Sequence, residues 1–154
     1  HAGFVLKYAG DAVIAFFPEL REFGNMAENA VRCANSMNML IKHSLNPIFA
    51  SLGLPIISVR IGIDTGKNRI VFLGSDPDLI GHGITIVSKI LPLAQPGQIT
   101  IGDTAYELLS PTYTEQFTKI NQDDKRWNYK HPVTGEVYPI YFSKNTVQIS
   151  DLKS

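Results

Sequence analysis

The sequence predicts an α+β domain: a mixed, mostly antiparallel sheet rich in hairpins and flanked by helices. Three observations carry this. Two runs rich in β-branched and aromatic residues, Gly3–Tyr8 and Ala12–Phe17, have Gly10-Asp11 between them, a pair suited to a tight hairpin turn. Ala27, Ala30, Val31, Ala34, Met37, Leu40 and Ile41 recur at spacings of three and four, the mark of one helix face. Further on, short apolar runs alternate with turn residues and with one more helical stretch.

Taken in order, Pro18 closes the second strand, and Asn25 with Glu28 forms a capping box at the start of the long helix, with Asn in place of the usual Ser or Thr. Pro47 must end or kink that helix, leaving a short extra turn to Leu52. Ile57–Ile63 reads as a strand, 64–68 as a turn and Arg69–Leu73 as the returning strand. Residues 74–78 read as a loop. His82–Leu91 reads as a helix stopped by Pro92, despite a content of Ile, Thr and Val that is poor for one. Gln98–Ile101 is a strand and Thr104–Leu109 a short helix. Tyr113–Ile120 and Val137–Phe142 alternate as strands, with turns at Asn121–Lys125 and Pro132–Glu136. The expected organisation is one domain over 1–143 and a frayed tail over 144–154.

The chain has 154 residues, enough for one sizeable core. Lys plus Arg and Asp plus Glu are 14 each, which argues against bulk nucleic acid or an anionic membrane surface as the main partner. Cys33 is alone, so no intrachain disulfide can form, and its place in an apolar helical pattern reads as a buried thiol. No stretch approaches the ~18 apolar residues of a membrane span, and no signal peptide precedes the first strand. The default expectation is a cytoplasmic setting.

Several motifs fail. Gly62–Asn68 is one residue too short for a phosphate loop, lacks its final Ser or Thr, and runs strand to strand. The four histidines have no zinc spacing, and His43 and His131 read as surface or loop residues. There is no Gly-x-Ser-x-Gly elbow.

Four ordered segments remain. Leu6-Lys7-Tyr8-Ala9-Gly10-Asp11-Ala12-Val13-Ile14-Ala15-Phe16-Phe17 resembles the strand–turn–strand signature of class III adenylyl and guanylyl cyclases. Arg60-Ile61-Gly62-Ile63-Asp64-Thr65-Gly66 resembles their next strand. Asp78-Leu79-Ile80-Gly81 and Pro96-Gly97-Gln98-Ile99 follow in the expected order. The resemblance is good from Ala2 to about Tyr106 and thin beyond, and it implies a ferredoxin-like cyclase catalytic domain.

The resemblance implies roles. Asp11 aligns with one of two aspartates that bind the catalytic ions, Mg²⁺ or Mn²⁺, which prefer carboxylate oxygens. On its own, Asp11 would read simply as a residue suited to a tight turn. Lys7 and Asp78 align with a base-reading pair. Adenine offers an acceptor at N1 and a donor at its exocyclic amine; lysine can only donate and aspartate only accept, so the pair matches ATP rather than GTP. The plainer readings are a solvated strand lysine and a loop aspartate beside Pro77.

The chain also departs from the family. Thr85 stands where an asparagine that positions the ribose is expected, and Lys89 where an arginine that stabilises the transition state is expected. Four residues apart, they share a helix face, or are merely surface residues. The Phe-x-Asp strand that carries the family's first metal aspartate has no counterpart here, so the first strand and helices are expected to be missing, as in a truncated or cleaved piece. Another copy could fill the gap by strand exchange. The resemblance implies a homodimer, with the metal aspartate from one copy and the base-reading residues from the other.

The leading expectation is an adenylyl cyclase that makes cyclic AMP from ATP. The alternatives are a cyclase-homology domain that binds nucleotide or a partner without turnover, and an unrelated sandwich of helices on a sheet.

Overall fold

The computed structural model describes residues 2–120 and 124–144. Most of the turn expected at 121–125, and the expected tail beyond 144, lie outside the described residues.

Strands β1 (Phe4–Ala9) and β2 (Ala12–Phe16) form the expected antiparallel hairpin. Gly10 turns the corner at φ +63°, where a side chain would be strained. The pairing steps from Val5↔Ala15 to Lys7↔Ile14, so Leu6 is an extra residue, a β-bulge. A bulge re-aims the side chains beyond it, and here the next one is Lys7.

Helix α1 (Met26–Leu40) begins as predicted: the Asn25 side chain accepts from the Ala27 and Glu28 amides at 2.9 and 3.2 Å. Only half of the capping box forms, because Glu28 reaches away to accept from the Ser110 amide at 3.1 Å. Ala27, Ala30, Val31 and Ala34 are buried, but Met37 and Leu40 are exposed. Cys33 is half-buried, on the flank of the apolar face rather than at its centre. Ahead of Pro47, whose ring lacks an N–H and crowds the preceding turn, the helix widens into a π-helical turn over Ile41–Leu45. It resumes as α2 (Asn46–Ser51) and ends at Leu52.

Strand β3 is only Ile61–Ile63. The expected start at Ile57 fails because buried Asn46 takes both backbone groups of Ile57, at 2.9 Å each. Strand β4 (Asn68–Leu73) does not return onto β3. It pairs with β5 (Asp76–Gly81), which replaces most of the expected loop and leaves Gly74-Ser75 as the turn, with Gly74 at φ +69°. Helix α3 (His82–Ile90) forms despite its composition, because Ile86 and Ile90 are completely buried. Next come β6 (Ile99–Gly102), α4 (Asp103–Tyr106) and α5 (Pro111–Thr114). Strand β7 (Phe117–Lys119) and strand β8 (Ile140–Ser143) finish the described chain. The strand expected from Tyr113 therefore starts four residues late, because Pro111 opens a helical turn. Val137 makes only an isolated bridge to Lys130.

The main sheet runs β3-β6-β8-β7, parallel at β3–β6 and antiparallel elsewhere. Ile99 and Ile101 of β6 face α1 in one core cluster; Ile140 and Phe142 of β8 face α3 in a second. At Gly62 an added Cβ would lie 3.2 Å from Val87, so the absent side chain lets α3 close on the sheet. Among the described residues β2 pairs only with β1, and β3 only with β6. Between them runs a groove of about 560 Å³, walled by Ala12, Ile14, Ile63, Ala30, Ile84 and Val87 among others.

Candidate active site

Lys7 and Asp78 come from different hairpins, and their charged ends meet at 2.8 Å. Both side chains are about one-third exposed, at 31% and 33%. They line a hollow of about 470 Å³ together with Tyr8, Leu73, Asp76 and Pro77. The Lys7 ammonium, followed by the Leu79 amide donating at 2.7 Å, holds the Asp78 carboxyl below the usual carboxylate range.

Asp11 is exposed at the β1–β2 turn. Among the described residues its carboxylate has no hydrogen bond or ion pair, and no three His, Cys, Asp or Glu side chains gather as a metal cage. A single free carboxylate nevertheless suits Mg²⁺, which is commonly bound by one or two carboxylates with water and substrate phosphate completing its shell.

Thr85 and Lys89 lie on exposed positions of α3. The Thr85 hydroxyl donates to the Gly81 carbonyl at 2.8 Å, which leaves only its lone pairs for a ligand. The Lys89 ammonium sits 5.7 Å from the centre of the Tyr129 ring. Lys7 and Asp78 are thus brought together, whereas among the described residues Asp11, Thr85 and Lys89 make no hydrogen bond or ion pair with them.

Three features escaped the sequence reading. The first is Asn68, the residue opposite Gly81 in the β4–β5 ladder. Its Oδ1 accepts from the Ile84 amide at 3.3 Å, capping the first turn of α3, and its Nδ2 donates to the Gly66 carbonyl at 3.1 Å. Gly81 (φ +150°) has no room for a Cβ, which would fall 2.5 Å from Asn68 Oδ1. Asn68 thereby fixes α3 against the hairpin that carries Asp78.

The second is a half-buried polar cluster. Thr104 Oγ1 donates to Asp64 at 2.6 Å, the Tyr138 hydroxyl donates to both Asp64 oxygens at 3.1–3.2 Å, and the Thr65 amide adds a bond at 2.9 Å. Burial raises the Asp64 carboxyl above its ordinary value, against the pull of these donors and of His82. Burial also pushes the Tyr138 hydroxyl up. His82 meets the Tyr138 ring edge-on at 5.7 Å, and His131, in a loop as expected, stacks on it at 6.2 Å. The third is Tyr129 itself, beneath Lys89. Only the turn pattern around Asn68 was visible locally; the other partners are tens of residues apart.

This arrangement defines a class: an α+β domain with a carboxylate on a Gly-Asp hairpin and an acid–base pair spanning two hairpins. The family model described as "Adenylate and Guanylate cyclase catalytic domain" matches residues 6–138, and the chain belongs to that family. "Putative adenylate cyclase 3" of Rhizobium meliloti (strain 1021) is 33% identical over 110 residues, 70% of this chain. The match spans 16% of that relative's length. Among solved structures, the guanylyl cyclase Cya2 aligns over 96% of this chain and 72% of its own, with TM-score 0.69 and 18% identity. The adenylyl cyclase CyaB from P. aeruginosa aligns over 94% and 72%, with TM-score 0.68 and 20% identity. At these identities the structural likeness establishes the fold, and it includes cyclases of both kinds. Among the described residues, no helix is long and apolar enough to cross a membrane.

Proposed function

We propose that this chain is part of an adenylyl cyclase that converts ATP to 3′,5′-cyclic AMP and pyrophosphate. The observation that carries the reading is the 2.8 Å approach of Lys7 to Asp78, a donor and an acceptor side by side in a partly open hollow. Adenine's N1 would accept a hydrogen bond from Lys7 and its amine would donate one to Asp78; guanine presents the opposite pattern. The ribose 3′-oxygen would then attack the α-phosphorus and lose its proton to solvent water. The bond from that phosphorus to the bridging oxygen breaks, and pyrophosphate departs with the electron pair. Thr85 would accept a bond from a ribose hydroxyl, and Lys89 would face the phosphates. Asp11 would hold a divalent ion, Mg²⁺ or Mn²⁺, which supplies charge neutralisation at the triphosphate and favours ionisation of the 3′-hydroxyl.

The functional state under this reading is a homodimer, with Asp11 of one copy working beside Lys7 and Asp78 of the other. The edges of β2 and β3, open among the described residues and beside an apolar groove, support an exchanged strand from a second copy. A second reading, a cyclase-homology module that binds nucleotide without turnover, draws support from the Thr85 hydroxyl, already committed to Gly81.

Cyclic AMP formation from ATP with Mn²⁺ or Mg²⁺, at protein concentrations that favour dimers, tests the reading. Turnover that disappears in Asp11→Ala supports the enzyme. Nucleotide binding without product, and unchanged by Asp11→Ala, supports the module.

A further inference from the structure

We infer that Tyr129 is a positioning residue for Lys89, holding its ammonium ready for the phosphates of a nucleotide; the phosphate half of this rests on the function proposed above. An exposed lysine on a helix surface ordinarily samples many rotamers, and a point charge is useful only where it is held. Among the described residues no carboxylate lies within 4 Å of Lys89. What the ammonium has instead is the face of Tyr129, 5.7 Å from the ring centre, within the range of a cation–π attraction.

That ring is itself anchored. The Tyr129 carbonyl accepts from the Tyr138 amide at 2.8 Å. Its ring packs on Trp127 at 5.7 Å and meets Tyr138 edge-on at 6.3 Å. The Trp127 indole donates to the Tyr138 carbonyl at 2.6 Å, and the Tyr138 hydroxyl ends on Asp64 and Thr104. A chain of aromatic rings thus runs from the half-buried polar cluster out to Lys89. A neutral π face also leaves the positive charge uncancelled, whereas a carboxylate partner would compete with phosphate. The ring compensates in part for a lysine's lack of the fixed planar geometry of a guanidinium.

Inorganic tripolyphosphate is the probe, because it carries the phosphates without the base. NMR of the Lys89 side chain should show ring-shifted methylene resonances in the wild type and in Tyr129→Phe, and ordinary ones in Tyr129→Leu. Tripolyphosphate affinity should fall about threefold to tenfold in Tyr129→Leu and return in Tyr129→Phe. In a Lys89→Met background, Tyr129→Leu should cost nothing further, which separates positioning from a general loss of packing. Lys89 resonances indifferent to Tyr129→Leu would overturn the inference, as would tripolyphosphate binding that does not depend on Lys89 or is equal in Tyr129→Leu and the wild type. If these results hold and no cyclic AMP forms, the positioning stands and the adenylyl reading fails.

Discussion

Lys7 on β1 and Asp78 on β5 are joined at 2.8 Å although neither strand is hydrogen-bonded to the other's hairpin. The pair is placed by two local devices: the bulge at Leu6, which precedes Lys7, and the Gly74-Ser75 turn, which folds Asp78 back beside Val71. Each group is already satisfied by the other, so a base that inserts between them must replace that contact with two hydrogen bonds of its own. This favours a ligand with the matching donor–acceptor order and disfavours one with the order reversed.

The departures on α3 make a prediction about rate. Thr85→Asn combined with Lys89→Arg should raise kcat for cyclic AMP formation about tenfold, since an amide supplies both a donor and an acceptor and a guanidinium grips phosphate at two points. An unchanged or lower kcat, with the fold intact by circular dichroism, would show that α3 does not face the reacting phosphates.

Thr100 is completely buried on β6, and among the described residues its hydroxyl has no hydrogen-bond partner. A buried hydroxyl without a partner costs stability. Thr100→Val keeps the shape and should stabilise the domain by about 1 kcal/mol in denaturant unfolding. A destabilised variant would mean that the hydroxyl is satisfied in solution.

Asp64 predicts a pH dependence. Its carboxyl is raised from 3.8 in the folded chain, so ionisation is harder there than in the unfolded chain. The stability it contributes is full below 3.8 and is lost as pH rises through the raised folded value. The stability of the wild type relative to Asp64→Asn should therefore fall as pH rises from the acid range and then level off. Unfolding measured across that range checks it. A difference that grows with rising pH would mean that the three donors and His82 outweigh burial.

Much of the frame was legible because its signals are local. Gly10-Asp11 marks its hairpin, Asn25 its cap, and Pro47 its helix distortion, each within a few residues. Strand β5 was hidden because Asp76-Pro77-Asp78 has the composition of a loop. Pro77 is tolerated opposite Phe72 because β5 pairs on one side only among the described residues, so a missing N–H need not break a ladder. The helical turn at Pro111 was hidden by alternation around Tyr113, although Ser110-Pro111 is a good helix start. The Asp64–Thr104–Tyr138 cluster and the Tyr129–Lys89 contact could not be read at all, since they depend on how α3, α4 and the segment before β8 pack together. For the site, the resemblance to class III cyclases suggested the Lys7–Asp78 pairing, but the distance between them belongs to the fold.

The most direct test of the central claim is competition between bases. Wild type and Lys7→Ala would each be given equal ATP and GTP with Mn²⁺, and cyclic AMP and cyclic GMP would be quantified together. The account predicts at least about a tenfold excess of cyclic AMP from the wild type, collapsing towards equality in Lys7→Ala. An excess of cyclic GMP from the wild type, or a ratio that Lys7→Ala leaves unchanged, would contradict it.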